Sequence, residues 1–166
     1  MSESISLVGD IGGTNARFAL VRDGEIEHFA SETLATAEFD RVELAIRLFL
    51  EKQSVDRVQR IALAAAGPVI NGQIKMTNTE WVINQENLQQ EFSASETRVL
   101  NDFEAISLSL PHLTSGHLDC VGGNHQLATD QNYVLGVVGP GSGTGVGGLV
   151  GVQGKTHAIV CEGGHT

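Results

Sequence analysis

ISLVGDIGGTNARFALV, residues Ile5 to Val21, sets two apolar runs around Asp10, Gly12, Gly13, Thr14 and Asn15. A tight hairpin needs only two turn residues, commonly Asn-Gly or Asp-Gly. This bend holds more glycine than turning requires, together with a carboxylate and a hydroxyl, and that surplus points to a ligand. The runs Ile5–Val8 and Ala16–Val21 read as strands around the glycine turn. Asp23-Gly24 signals a second hairpin, leading to a third strand near Ile26–Ser31.

Further along, Phe39, Val42, Ala45, Ile46 and Phe49 recur at helical spacing, so a helix is expected from about Glu38 to Lys52. VQRIALAAAGPV reads as a buried strand ending at Gly67-Pro68, and Asn71-Gly72 as a hairpin turn. Gln85–Phe92 suits a short helix, TRVL a strand, and Asp102–Leu110 a helix stopped by Pro111. Strands alternating with helices predict an α/β protein with a mixed sheet that opens on a three-strand meander.

The segment YVLGVVGPGSGTGVGGLVGVQGKTHAIVC repeats the opening pattern of strand, Gly/Thr turn, strand, Gly turn, strand. Positions 8, 14 and 24 fall on 138, 144 and 154, a constant offset of 130 residues. The shared pattern reads as an internal duplication. Gly143, Gly145 and Gly148 match Gly-x-Gly-x-x-Gly, but a dinucleotide site needs a helix opening from the glycines, and Leu149–Val152 reads as a strand. A P-loop ending at Lys155-Thr156 would need glycine where Leu149 stands. The remaining phosphate chemistry is a pair of backbone cradles, in which successive N–H groups of glycine-rich turns hold an anion without a basic side chain. Thr14 or Thr144 adds a hydroxyl donor, and Asp10 can hold Mg²⁺ directly or through water. Taken alone, Asp10 fits equally well as the cap of its own turn.

The chain has 166 residues and a formal charge of −10, with 41% hydrophobic and 18% charged residues. That balance describes a packed chain with room for one domain and part of another. It also disfavours nucleic acid and anionic membrane as partners. No signal peptide or membrane-spanning run is visible, and Cys120 and Cys161 form no C-x-x-C pair, so a cytoplasmic location is expected. Both cysteines read as small buried hydrophobes. A zinc site from His157, Cys161 and His165 would require a helix where the sequence is strand-like.

LVGDIGGTNARFAL, AAAGPVINGQIKMTNTEW, LNDFEAISLSLP, GPGSGTGVG and EGGHT resemble, in order and at compatible spacing, the successive motifs of the bacterial glucokinase family, within the hexokinase–actin-like ATPase superfamily. The resemblance implies ribonuclease H-like duplicated domains with the site in their cleft. It implies an N-terminal α/β domain over residues 1–110 and a larger second domain beginning at 111–166. It implies a glucokinase that phosphorylates glucose at the 6-hydroxyl from ATP with Mg²⁺, and a homodimer when full length. Asp102 would be the catalytic base, and Asn101, Glu162 and His165 would hold sugar hydroxyls alongside it. Gly9, Asp10, Ile11, Gly12, Gly13 and Thr14 would form the first nucleotide cradle, with Asp10 at the metal, and Gly143 and Thr144 the second. Asn101 or Asp102 could equally cap the helix that follows. Asn78 and Trp81 could approach the sugar, or Trp81 could simply pack beside a turn. The family's chains run to roughly twice this length, so the second domain reads as truncated and a fragment ending at Thr166 is expected to be inactive. Other readings are a kinase for a different hexose, a sugar-sensing regulator on the same fold, or an actin- or chaperone-like ATPase with no small acceptor. The regulator would need a DNA-binding segment ahead of Ile5, and the ATPase would have no use for the sugar contacts.

Overall fold

The computed structural model describes residues 4–122, 132–140 and 144–161. It separates into two compact units, Met1–Asp102 and Phe103–Thr166.

The first unit is built on a five-stranded sheet. β1 (Ile5–Ile11), β2 (Asn15–Arg22) and β3 (His28–Ala35) form an antiparallel meander, while β4 (Arg60–Ala65) and β7 (Glu96–Asn101) run parallel to β1, giving the order β3-β2-β1-β4-β7. The mixed sheet and its opening meander match the expectation from sequence. Alternation sets the faces: Leu7, Ile11, Phe18, Leu20, Ile61 and Leu63 are buried on one side. α1 (Val42–Lys52) covers that side with Val42, Ala45, Ile46, Phe49 and Leu50, and Phe49 stacks on Phe18 with ring centroids 5.8 Å apart. A short hairpin, β5 (Gln73–Lys75) with β6 (Val82–Asn84), and α2 (Gln85–Glu91) bridge β4 to β7. The Asn71-Gly72 turn that starts this hairpin has φ of 51° and 72°, the left-handed pair that an Asn-Gly sequence favours.

Several boundaries differ from the sequence reading. β1 continues three residues past Val8, so Asp10 and Ile11 are strand residues rather than turn residues. β3 begins at His28, because Glu25 to Glu27 complete the turn and Ile26 is 79% exposed. α1 begins at Val42, not Glu38; Phe39 has extended backbone and follows a 3-10 turn at Thr36–Glu38. Helical spacing therefore ran on through residues that fold as an approach segment. β6 was not expected at all, being only three residues long.

An ion-pair network ties α1 to α2. Arg41, just before α1, and Arg47 on it both reach Glu91 at the end of α2, at 2.9 Å each. Partial burial of Glu91 works against its charged form, but the hydrogen bonds and charges of Arg41 and Arg47 outweigh this and hold its pKa below the usual carboxylate value.

In the second unit, β8 (Tyr133–Pro140), β9 (Thr144–Val152) and β10 (Lys155–Cys161) form an antiparallel meander ordered β10-β9-β8. The repeat in sequence thus has its counterpart in two meanders, whose second turns place Gly24 (φ 82°) and Gly154 (φ 75°) alike. β9 is a strand from Thr144 onward, so its glycines open no helix and hold no Rossmann-type site.

Those glycines have a packing role. A Cβ on Gly145 would lie 1.8 Å from the ring of Phe103, and one on Gly139 2.6 Å from it; one on Gly147 would meet the Ser107 hydroxyl at 2.4 Å. α3 (Asp102–Ser109) therefore lies in a glycine trough on β8 and β9. From Phe103 onward α3 thus packs within the second unit. Pro111 does not end the chain's helical course abruptly but sits in a 3-10 turn, Leu110–His112, that continues α3. Cys120 is exposed, contrary to the expectation of burial, and lies in an irregular segment.

Candidate functional site

β1, β4 and β7 are parallel, so their C-terminal ends lie along one edge of the first sheet. The register aligns Ile11 with Ala65 and Ala65 with Asn101. The Gly12–Thr14 turn that follows Ile11 and the Asn101-Asp102 pair that ends β7 are therefore two strands apart, about 10 Å at the usual spacing. Ligands of open α/β sheets bind at this kind of edge.

Within the turn, Gly12 N–H donates to the Asn15 carbonyl at 2.8 Å and closes the bend. Thr36, 2% exposed, holds the bend from behind: its hydroxyl donates to the Gly13 carbonyl at 2.8 Å and its N–H to the Thr14 carbonyl at 3.0 Å. Nothing in the sequence around Thr36 marks this role, since a lone threonine in LATAEF carries no motif. Asn78 lies against Gly13, where a Cβ would come within 2.7 Å of the Asn78 Cβ. The turn, Thr36, Asp40, Asn78, Glu80 and Trp81 border a cavity of about 470 Å³. Trp81 is 2% exposed, and its Nε1–H donates to the Phe39 carbonyl at 2.9 Å, so the packed reading is the one observed.

Gly9 and Asp10 lie on opposite faces of β1. Gly9 points into the core, where a Cβ would come within 2.8 Å of Leu63 and 3.1 Å of Phe18, so its lack of a side chain admits theirs. Ile11 shares that face and is buried. Asp10 faces the other way and pairs across the strands with Arg17, Oδ2 to Nη1 at 2.8 Å. The sequence does not mark Arg17, because in the alternation of β2 an outward arginine looks like any solvated residue. Asp10 accepts no bond from its own turn among the described residues, so it is an ion-paired strand residue rather than a turn cap. Its Oδ1 has no protein partner among the described residues, and the side chain is 58% exposed.

Asn101 is buried, and its Nδ2 donates to the Gly67 carbonyl at 3.1 Å. This bond ties the end of β7 to the turn after β4. Asp102 follows as the first residue of α3. Thr144 opens β9 and is exposed. Gly143, Glu162 and His165 lie outside the described residues. Among the described residues, no group of three or more His, Cys, Asp or Glu side chains is gathered to hold a metal ion.

A glycine turn and an Asn-Asp pair thus lie on one edge of the mixed sheet of an α/β fold. The ROK hexokinase of Thermus thermophilus shares it at a TM-score of 0.61 over 96% of this chain and 50% of its own, with only 19% identity. A family profile described as glucokinase matches residues 7–166, and the chain belongs to the glucokinase family. The glucokinase of Marinobacter nauticus is 41% identical over 99% of this chain and 50% of its own length. The crystal structure of a glucokinase from an Antarctic psychrotroph superposes at a TM-score of 0.87, with 33% identity, covering 98% of this chain and 51% of its own. The chain thus spans about half the length of the curated relatives it matches.

Proposed function

We propose that this protein is a glucokinase, transferring the γ-phosphoryl group of ATP to the 6-hydroxyl of glucose. One observation carries the reading: in a member of the glucokinase family, the Gly12–Thr14 turn and Asn101-Asp102 share one sheet edge two strands apart. Asp102 takes the proton from the sugar 6-hydroxyl as that oxygen attacks phosphorus. General-base help of this kind is worth about 10²–10⁴ in rate. Asn101, fixed by Gly67, holds a neighbouring hydroxyl, and Glu162 and His165 hold others through acceptor and donor atoms. Gly9, Ile11 and Gly12 shape the first cradle, in which Gly13 and Thr14 line the nucleotide phosphates and the Thr14 N–H faces them. Gly143 and Thr144 belong to the second.

The residues present fit a Mg²⁺–nucleotide. Mg²⁺ is commonly held by one or two carboxylates together with substrate phosphates and water, and Asp10 offers one exposed, singly engaged carboxylate. When bound, the ion neutralises phosphate charge. The two meanders support a reading of duplicated ribonuclease H-like domains, each contributing one cradle. Action as a cytoplasmic homodimer, without nucleic acid or membrane partners, completes the proposal.

The test is Asp102→Asn in the full-length gene product, followed by calorimetry with glucose and a coupled kinase assay. Glucose binding should survive while turnover falls at least a hundredfold. Turnover within tenfold of wild type would remove Asp102 from the role of base.

A further inference from the structure

We propose that Thr36 is a positioning residue that aims the N–H groups of the glycine turn at the nucleotide phosphates; the inference rests on the phosphate-cradle reading of that turn. Gly13 has no Cβ to restrict its ψ, so only the Thr14 side resists a flip of the peptide unit between Gly13 and Thr14. One orientation presents an N–H to an anion and the other presents a carbonyl, which repels it. A cradle made of backbone therefore needs something to choose between them.

Thr36 makes that choice. Its hydroxyl binds the Gly13 carbonyl at 2.8 Å and its N–H binds the Thr14 carbonyl at 3.0 Å. In a planar trans peptide the N–H points opposite to the C=O. Holding both carbonyls behind the turn thus turns the N–H groups of Thr14 and Asn15 to the side away from Thr36. The Thr14 N–H has no protein acceptor among the described residues, and Thr14 is exposed. Thr36 itself is buried at the head of the 3-10 turn after β3, so its hydroxyl has little freedom to leave. The N–H at position 36 would be supplied by almost any residue. The hydroxyl is the part that depends on threonine.

The experiment compares Thr36→Val, Thr36→Ser and Asp10→Ala in the full-length gene product. Calorimetry measures Mg²⁺–ADP and glucose binding, and amide hydrogen exchange reports on residues 13–15. Thr36→Val should weaken Mg²⁺–ADP about three- to tenfold, the range of one lost hydrogen bond, and speed exchange in the turn. Glucose affinity should hold, and Thr36→Ser should return nucleotide affinity to within twofold of wild type. If Asp10→Ala weakens Mg²⁺–ADP but Thr36→Val leaves it within twofold, the turn binds nucleotide without help from Thr36 and the inference fails alone. If neither variant weakens it, the cradle reading fails and takes the inference with it. Equal losses for nucleotide and glucose in Thr36→Val, or no recovery in Thr36→Ser, would also overturn the role assigned to the hydroxyl.

Discussion

Gly145→Ala adds one methyl group where α3 lies closest to β9. The new Cβ would stand 1.8, 2.0 and 2.5 Å from Cε2, Cζ and Cδ2 of Phe103. Carbon atoms in contact prefer about 3.5–4.0 Å, so the ring must withdraw by about 1.5–2 Å. It has nowhere close to go. Gly139, the cross-strand partner of Gly145, already lies so near that a Cβ there would meet the same ring at 2.6 Å. The helix also lies close on β9 two residues further on, where a Cβ on Gly147 would be 2.9 Å from the Phe103 carbonyl. Overpacking of this kind costs about 1–3 kcal/mol. The lower entropy of an unfolded chain with alanine returns about 0.4–1 kcal/mol. The expected net loss is about 1–2 kcal/mol, read from urea denaturation of the full-length gene product. The cause is tested by repeating the substitution in Phe103→Ala, where the added methyl should be neutral or stabilising. Equal destabilisation in both backgrounds would refute the trough.

Glu91→Gln should lower stability by about 1 kcal/mol at neutral pH, given that both arginine partners are half exposed. Because the native pKa of Glu91 is depressed, its contribution is present above the ordinary carboxylate pKa and fades as pH falls through the native value. Acid titration of wild type and variant should therefore converge below the usual carboxylate range, and a gap that persists there would refute the assignment. Trp81→Phe should cost about 1 kcal/mol in thermal or urea melts through the lost bond to the Phe39 carbonyl, with glucose affinity unchanged; a fall in glucose affinity without a fall in stability would return Trp81 to the sugar site. Asp10→Ala removes only an exposed ion pair with Arg17, so stability should move by less than about 1 kcal/mol while Mg²⁺–nucleotide affinity and turnover drop. The opposite pattern in melts and steady-state kinetics would make Asp10 structural.

Much of the architecture was legible because it rests on local signals. Alternation in Ala16–Val21, glycine turns at Gly24 and Gly154, and the Asn71-Gly72 pair all encode their backbone within a few residues. The repeat at constant offset anticipated the second meander. What could not be read depends on distant partners. From sequence, Asp10 reads as a turn residue, and its place in β1 shows only with Arg17 beside it on β2. Phe39 keeps helical spacing although it lies before α1, and its carbonyl is drawn off by Trp81, 42 residues away. At the site, Gly12 to Thr14 and Asn101-Asp102 announced themselves by residue type. Their common edge became visible only from parallel pairing through β4, and Thr36 only from its bonds to two carbonyls.

The proposed reaction moves a phosphoryl group from ATP to a sugar hydroxyl. It is tested most directly by phosphorus and carbon NMR of the products formed by the full-length gene product from ATP, Mg²⁺ and ¹³C-labelled glucose. Phosphate is expected on the oxygen of C6, formed in step with ADP, and formed at least a hundredfold more slowly by Asp102→Asn at the same protein concentration. Release of inorganic phosphate with no sugar phosphate, or phosphate on a different carbon, would contradict it.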